Sequence, residues 1–229
     1  MLNVLFLCNF KLILLSCLTH VRFYKIIEIT GKMDTHLTLS RKDQIIQTAA
    51  RLFREKSYEA ASMRDIASVL GIEAASLYSH IKSKDEILEI ICFRKADEFL
   101  GAIAEVNDIY FNAEEKLRMA IKNHVRIIAS DLNSSTVFLR EWRYLSSEKL
   151  NEFIGLRHKY ENELRDIIHQ GENENIFETV DVKFAALTIL SAVNWIVEWY
   201  NPHGNMSPDE IADNLSNFIL TGLGKKTIS

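Results

Sequence analysis

Between Ser62 and Lys84 the chain sets hydroxyls, an imidazole and cations among small side chains: Ser62, Arg64, Ala74, Ala75, Ser76, Tyr78, Ser79, His80 and Lys84. Those types suit one kind of chemistry, the holding of phosphate. Tyrosine and serine hydroxyls and a lysine ammonium donate hydrogen bonds to phosphate oxygens, and small side chains let a helix come close to base edges. The segment reads S-M-R-D-I-A-S-V-L-G-I-E-A-A-S-L-Y-S-H-I-K-S-K-D-E, two short helical patterns meeting at Gly71. That is the punctuation of a helix-turn-helix. Ser62 is placed to cap the first helix, with Asp65 standing in for the Glu or Gln of a capping box. Ile66, Val69 and Leu70 form its apolar face, and Gly71 supplies the positive φ of a sharp exit. Ile72 re-enters the core. A second helix over 73–80 turns Ala74, Ala75, Ser76 and Ser79 outward and Leu77 and Ile81 inward. Ser83 and Glu86 read as a second, full capping box that starts a third helix. The arrangement predicts one short helix placed in a major groove.

Further matching residues flank this segment. Ile45, Ala49, Ala50, Leu52 and Phe53 give a first-helix apolar stripe, and Tyr58 sits where the chain leaves that helix. Met63-Arg64-Asp65-Ile66-Ala67, Leu70-Gly71-Ile72 and Ser76-Leu77-Tyr78 lead to His80-Ile81-Lys82-Ser83-Lys84-Asp85-Glu86-Ile87-Leu88. In this order and spacing Thr38 to Leu88 resembles the DNA-binding domain of the TetR (tetracycline-repressor) family of one-component transcriptional regulators. The resemblance implies that Tyr78 and Lys84 contact phosphate, Lys84 beside the amino end of a helix; the bland alternative is that Tyr78 packs and Lys84 is a solvated charge. Thr38, Arg41 and Ser62 add backbone contacts or are ordinary surface polar groups. His80 touches phosphate or a base, or makes an internal hydrogen bond. One departure matters: many relatives carry Lys or Arg early in the recognition helix, where this chain has Ala74. No arginine there can read guanine bidentately, so specificity is expected from close approach, methyl contacts to thymine and DNA shape. Arg64 either reaches the DNA or makes an ion pair.

Composition is compatible. The 229 residues are 48% hydrophobic and 25% charged, with 2 Pro and 8 Gly, the profile of a mostly helical globular chain of one or two domains. The net charge of −4 excludes a general polyanion binder. Ser40 to Lys84 nevertheless carries a local +3, eight cations against five carboxylates, enough for salt-sensitive binding to a specific site. Cys8, Cys17 and Cys92 have neither zinc-site nor disulfide-framework spacing, which suits a reducing cytoplasm. Residues 1–32 form an apolar leader interrupted by Asn9 and Lys11, short for a membrane span and without a cation ahead of it. Met33 begins Met-Asp-Thr-His ahead of the first helix. Three readings stand: translation starting at Met33, a membrane anchor or signal, or a cytosolic extension. The first is preferred, and no membrane partner is expected.

Beyond residue 33 the chain reads as all-α. Helices are expected over 40–56, 63–70, 74–80 and 84–106, then over 113–131, 135–147, 149–170, 181–200 and 208–222. Gly171 should end the helix over 149–170. Ser207-Pro208-Asp209-Glu210 combines an N-cap Ser, Pro at the first turn and Glu at the third position. The organisation is an N-terminal three-helix helix-turn-helix domain (33–84) and a C-terminal helical bundle for ligand binding and dimerisation (85–229). No phosphate loop, HExxH, GxSxG or metal-ligand set is present, so neither enzyme activity, nor a cofactor, nor a metal is expected. His158 and His169 lie three turns apart on one helix, too far for a shared ion.

The C-terminal half carries the remaining expectations. Arg140, Trp142, Arg143 and Tyr144 on one helix and Phe153, Arg157 and Tyr160 on the next, with Trp195 and Trp199, suggest an aromatic-lined pocket with an arginine at its mouth. That would suit a hydrophobic acid or thioester. Asn194-Trp195, Trp199-Tyr200-Asn201-Pro202, Gly204 and Ser207–Ala212 resemble a TetR subgroup that includes regulators of fatty-acid, steroid or phenylacetate catabolism responding to acyl-CoA. The family resemblance further implies a homodimer through the last two long helices, with Ala192, Ile196, Leu215, Phe218 and Ile219 as interface candidates or intrachain core. The implied function is a homodimeric repressor released from a palindromic operator in double-stranded DNA by a small hydrophobic effector. The alternatives are an activator on the same scaffold and a helical ligand carrier that does not bind DNA.

Overall fold

The computed structural model describes residues 39–178 and 181–224. Thr38, named above as a backbone contact, and the leader 1–32 lie outside the described residues. Helix α1 (Arg41–Lys56) starts on Ser40, whose side chain accepts from the Asp43 N–H. Its apolar stripe Ile45, Ala49, Ala50, Leu52 and Phe53 is buried, joined by Ile46. Helix α2 (Met63–Leu70) begins at a reciprocal capping box of Ser62 and Asp65 and ends at Gly71, whose φ of 65° is left-handed. A side chain rarely adopts that conformation, so the exit depends on glycine. Helix α3 (Ala74–Tyr78) follows, then α4 (Lys84–Asp108), which runs from this module into the body.

The body comprises α5 (Ala113–Ser130), α6 (Leu132–Arg140), a 3-10 turn (Trp142–Tyr144), α7 (Ser147–Asn173), α8 (Val182–Asn194), α9 (Ile196–Trp199) and α10 (Pro208–Gly222). Helix α4 packs against α5, α6 and α7, and α1 packs against α6. Polar ties hold α1 in place: Arg94 pairs with Asp43 at 2.8 Å and Arg54 donates to Asn133 at 3.1 Å. Helix α10 lies along α5. Its Asp209 receives two hydrogen bonds from Arg126, at 2.7 and 2.8 Å. The expected cap is formed in full, with Pro208 in the first turn and Glu210 closing the box with Ser207.

Several boundaries differ from the sequence reading, each for a local reason. The short helix ends at Tyr78, so His80 lies in the turn beyond it. Val69, assigned to the apolar face of α2, is 49% exposed. Ser83 does accept from the Glu86 N–H, but Glu86 takes the Lys82 N–H instead of closing the box. The helix expected over 135–147 starts earlier, because Asp131 caps it through the Ser134 N–H, and it ends at Arg140. The helix expected over 181–200 breaks at Trp195, where the hydrogen bonding tightens to a three-residue step from Glu198 N–H to Trp195 O at 3.0 Å. Val182–Trp199, long and apolar enough by composition to cross a membrane, is therefore not one continuous helix.

Gly171 does not end α7, which runs on to Asn173; the left-handed residue is Asn175, with φ of 56°. Gly171 serves another purpose. The chain folds back so that the N–H groups of Ile176 and Phe177 both donate to its carbonyl, at 2.9 and 3.1 Å. A Cβ at this position would stand 2.0 Å from the buried Phe177 ring. Gly171→Ala must displace Phe177 and is expected to cost about 1–3 kcal/mol by overpacking. Urea unfolding measures it; an unchanged midpoint would mean that the ring moves freely.

Candidate functional site

The outward face of the N-terminal module is built by burying its opposite side. Leu77 and Ile81 are 0% and 1% exposed, which fixes the rotation of α3. Ala75, Ser76, Tyr78, Ser79 and His80 consequently face solvent, while Ala74 is half-buried against the core. Tyr78 is 52% exposed. The Ser79 hydroxyl donates to the Ser76 carbonyl at 2.7 Å. Arg64 is exposed and has no ion pair or hydrogen bond among the described residues. Arg41 is exposed and rests on Gln44 at 2.8 Å. The Ser62 hydroxyl is occupied in its cap. Lys82, absent from the contacts expected from sequence, is an exposed cation just past α3.

Lys84 is placed differently from a free surface charge. Its ammonium donates to the carbonyls of Tyr58 at 2.9 Å, Ala61 at 3.0 Å and Glu59 at 3.4 Å. It also lies 4.3 Å from the centre of the Tyr58 ring. Here it braces the loop between α1 and α2 against the start of α4. The Tyr58 hydroxyl donates to Asp85, and burial followed by that carboxylate raises its pKa. Tyr58 also meets Tyr144 from the body, ring centres 5.3 Å apart.

Within the body α4, α5, α6, α7 and α8 line an open-sided chamber of about 430 Å³. Phe99, Phe138, Leu139, Leu187 and Leu190 supply much of its apolar wall, and Trp142, Arg157 and Tyr160 join them as the sequence suggests. His124 and Glu161 also line it, although no sequence pattern points to them, and so does Asn194, which the sequence marks only as part of the subgroup-like Asn194-Trp195 motif. The Arg157 guanidinium lies 5.0 Å from the Trp142 ring and that of Arg143 4.3 Å from it. Neither arginine has a carboxylate partner among the described residues, because Glu161 pairs with Arg165. Burial, and then the charge of Arg143, lower the pKa of Arg157. Arg157 thus brings to the chamber's wall a guanidinium without an ion-pair partner among the described residues, while Arg143 stands outside the lining. His124 bridges two neighbours, Nδ1 to the Tyr160 hydroxyl at 2.8 Å and Nε2 to Asn194 Oδ1 at 3.0 Å.

The other pocket candidates lie elsewhere. Phe153 is 0% exposed and stacks behind the wall against Phe93, Phe138 and Trp142. Arg140 forms an ion pair with Glu198, its Nε donating at 2.9 Å. Tyr144 leaves the chamber for Tyr58. Trp195 and Trp199 are 64% and 48% exposed and are not part of the chamber's lining. Phe184 on α8 (71% exposed) and Phe218 on α10 (80% exposed) are likewise open apolar side chains. Of the interface candidates, Phe218 is open, Ala192 and Leu215 are half-buried, and Ile219 is nearly covered. Ile196 is 0% exposed and belongs to the intrachain core, continuing the buried face of Ile189 and Val193 at helical spacing.

Comparisons with known proteins converge. The family model described as "Bacterial regulatory proteins, tetR family" matches residues 45–91, and "Tetracyclin repressor-like, C-terminal domain" matches 111–223. The "HTH-type transcriptional repressor KstR2" of Mycolicibacterium smegmatis is 27% identical over 187 residues, covering 80% of this chain and 91% of that protein. The crystal structure of the TetR family transcriptional regulator PfmR from Thermus thermophilus matches with TM-score 0.72 and 35% identity, over 78% of this chain and 98% of that one. AibR, solved in complex with isovaleryl coenzyme A and operator DNA, matches with TM-score 0.70 and 28% identity, over 78% of this chain and 97% of that one.

The buried imidazole gives a pH signature. Burial pushes the pKa of His124 from 6.5 down to about 4, against an opposing pull from its hydrogen bond to Asn194. The folded state thus requires neutral His124, and the unfolded chain binds a proton that the folded chain lacks. Its stabilisation is complete above 6.5 and is lost as the pH falls toward 4. The loss amounts to roughly 3 kcal/mol at most. Urea unfolding across that window should show a slope that His124→Gln flattens; an equal slope in the variant would assign the effect to other groups.

Proposed function

This chain belongs to the TetR family of bacterial transcriptional regulators, and on that premise we propose a homodimeric repressor, released from a palindromic operator by a hydrophobic effector of acyl-CoA type. The observation that carries the DNA-binding half is the fixed rotation of α3, which turns Ala75, Ser76 and Tyr78 outward as one face. A single five-residue helix offers too few contacts for specific affinity, whereas two copies about 34–36 Å apart read adjacent major grooves. Phosphate contacts come from Tyr78, Arg41, Arg64, Lys82 and His80, which set register. Ala75 and Ser76 approach thymine methyls and leave much of the discrimination to DNA shape.

Dimerisation is supported by large apolar side chains left open on the last helices: Phe184 on α8, Trp195 and Trp199 after it, and Phe218 on α10. Exposed apolar surface of this kind ordinarily marks an interface. For the effector, the chamber's volume of about 430 Å³ lies in the usual range for small-molecule sites. Arg157 in the wall, with the exposed Arg143 against the same Trp142 ring, favours an anionic handle beside an apolar chain, as a coenzyme A thioester provides. The liganding of AibR and its likeness to this chain support the same class. Release requires a differential: the effector must favour the state whose recognition helices are misaligned. The Trp142–Tyr144 turn offers a route, since Trp142 lines the chamber and Tyr144 meets Tyr58 in the DNA-binding module.

The direct experiment is capture of genomic fragments by the purified protein, followed by footprinting. A short palindromic footprint, lost steeply with salt, is expected; a folded dimer that selects no fragment would sink the reading. On the operator so found, Tyr78→Phe should weaken binding about tenfold through the lost bond to phosphate. Equal affinity of wild type and variant would remove Tyr78 from the contacts. Phe184→Asp is expected to yield a monomer by light scattering that no longer protects the operator. A dimeric variant would move the interface away from these side chains.

A further inference from the structure

The chamber is mostly apolar, yet three polar side chains stand in its wall as one hydrogen-bonded unit. Asn194 Oδ1 accepts from His124, so Nε2 of the imidazole carries the proton and Nδ1 is the bare nitrogen. Nδ1 therefore accepts from the Tyr160 hydroxyl. Every atom that the fold itself uses in this unit is now assigned. What is left over is the Asn194 amide N–H2, two donors with no hydrogen bond among the described residues. Tyr160 keeps oxygen lone pairs, but its proton is committed. Asn194 and Tyr160 both line the chamber. A polar donor closed under a purely hydrocarbon ligand would lose its water and gain nothing, at a real cost in affinity.

We propose that the Asn194–His124–Tyr160 unit is the specificity determinant of the chamber, with the Asn194 amide donating to a hydrogen-bond-accepting oxygen on the hydrophobic effector. This rests on the reading of the chamber as the effector site. The relay through His124 locks the amide oxygen away from the ligand, so Asn194 is held donor-first. A keto or hydroxy oxygen along the acyl chain and the carbonyl of the thioester itself share the required chemistry. A saturated chain with no acceptor at that depth is discriminated against, because sites built to bond an oxygen reject analogues that lack it.

The test titrates operator-bound full-length protein with three ligand sets of equal chain length. These are saturated acyl-CoA thioesters, their keto- or hydroxy-substituted counterparts, and S-alkyl-CoA thioethers that lack the thioester carbonyl. Binding to the free protein is measured in parallel by calorimetry. Wild type should prefer the oxygenated chains on the order of tenfold or more. Asn194→Asp keeps the acceptor for His124 and removes the N–H donors, so it should bring that preference close to unity. Should the variant instead erase a preference for thioester over thioether, the oxygen read is the thioester carbonyl and the proposal stands. Asn194→Leu supplies a second reading if the aspartate does not fold, and should tilt the preference toward saturated chains. Equal binding of all three sets by wild type, or unchanged discrimination in both variants, overturns the proposal while leaving the effector site in place. Failure of every ligand to bind removes the effector reading and this inference together.

Discussion

A helix of five residues cannot hold itself together in water, because nucleation consumes more than so few hydrogen bonds return. The N-terminal module answers to that constraint throughout. Helix α3 (Ala74–Tyr78) keeps its shape because Leu77 and Ile81 anchor it from within and the left-handed Gly71 delivers the chain at the right angle. The capped start of α2, the Ser83 cap of α4 and the Lys84 brace on three carbonyls hold the neighbours against which it rests. With stability supplied from behind, the front can consist of small side chains. That is why the outward face of α3 carries no charged side chain.

The body works under the opposite constraint. It must line an apolar space without stranding polar groups inside it. His124 and Tyr160 meet this by bonding each other, and Arg157 by stacking on Trp142. The 3-10 turn that carries Trp142 is three residues long and also carries Tyr144. One wall of the chamber and one contact on the DNA-binding module thus sit on the same short piece of backbone, about 2 Å of rise per residue apart.

Local features are legible from sequence wherever one stretch of chain decides them. The Ser62 and Ser207 caps, the Gly71 exit, the α1 stripe and the inward Leu77 all follow from spacing. The chamber does not, because its wall is assembled from side chains on separate helices and only Trp142, Arg157 and Tyr160 fall among the aromatic and basic residues singled out. Phe153 looks equivalent to Tyr160 in the sequence and shares its face of α7, yet two turns along the helix it lies behind the wall. Ile196 escapes assignment because apolar residues run all round this stretch, so the sequence does not say which of its faces meets the core. The bracing role of Lys84 is equally hidden, since no pattern announces three carbonyls converging from a loop some 25 residues upstream.

Placing a histidine inside a sensor ordinarily ties its response to acidity, since imidazole changes charge across the range in which cells live. Here the ring's surroundings hold its pKa at about 4. Over any acidity that a bacterial interior sustains, the same proton sits on the same nitrogen, and the pattern of donors and acceptors facing the chamber is constant. The molecule can use the geometric precision of an imidazole without inheriting its noise. On the proposed reading of the chamber, any response would then depend on the chemical identity of the occupant and not on drift in proton concentration.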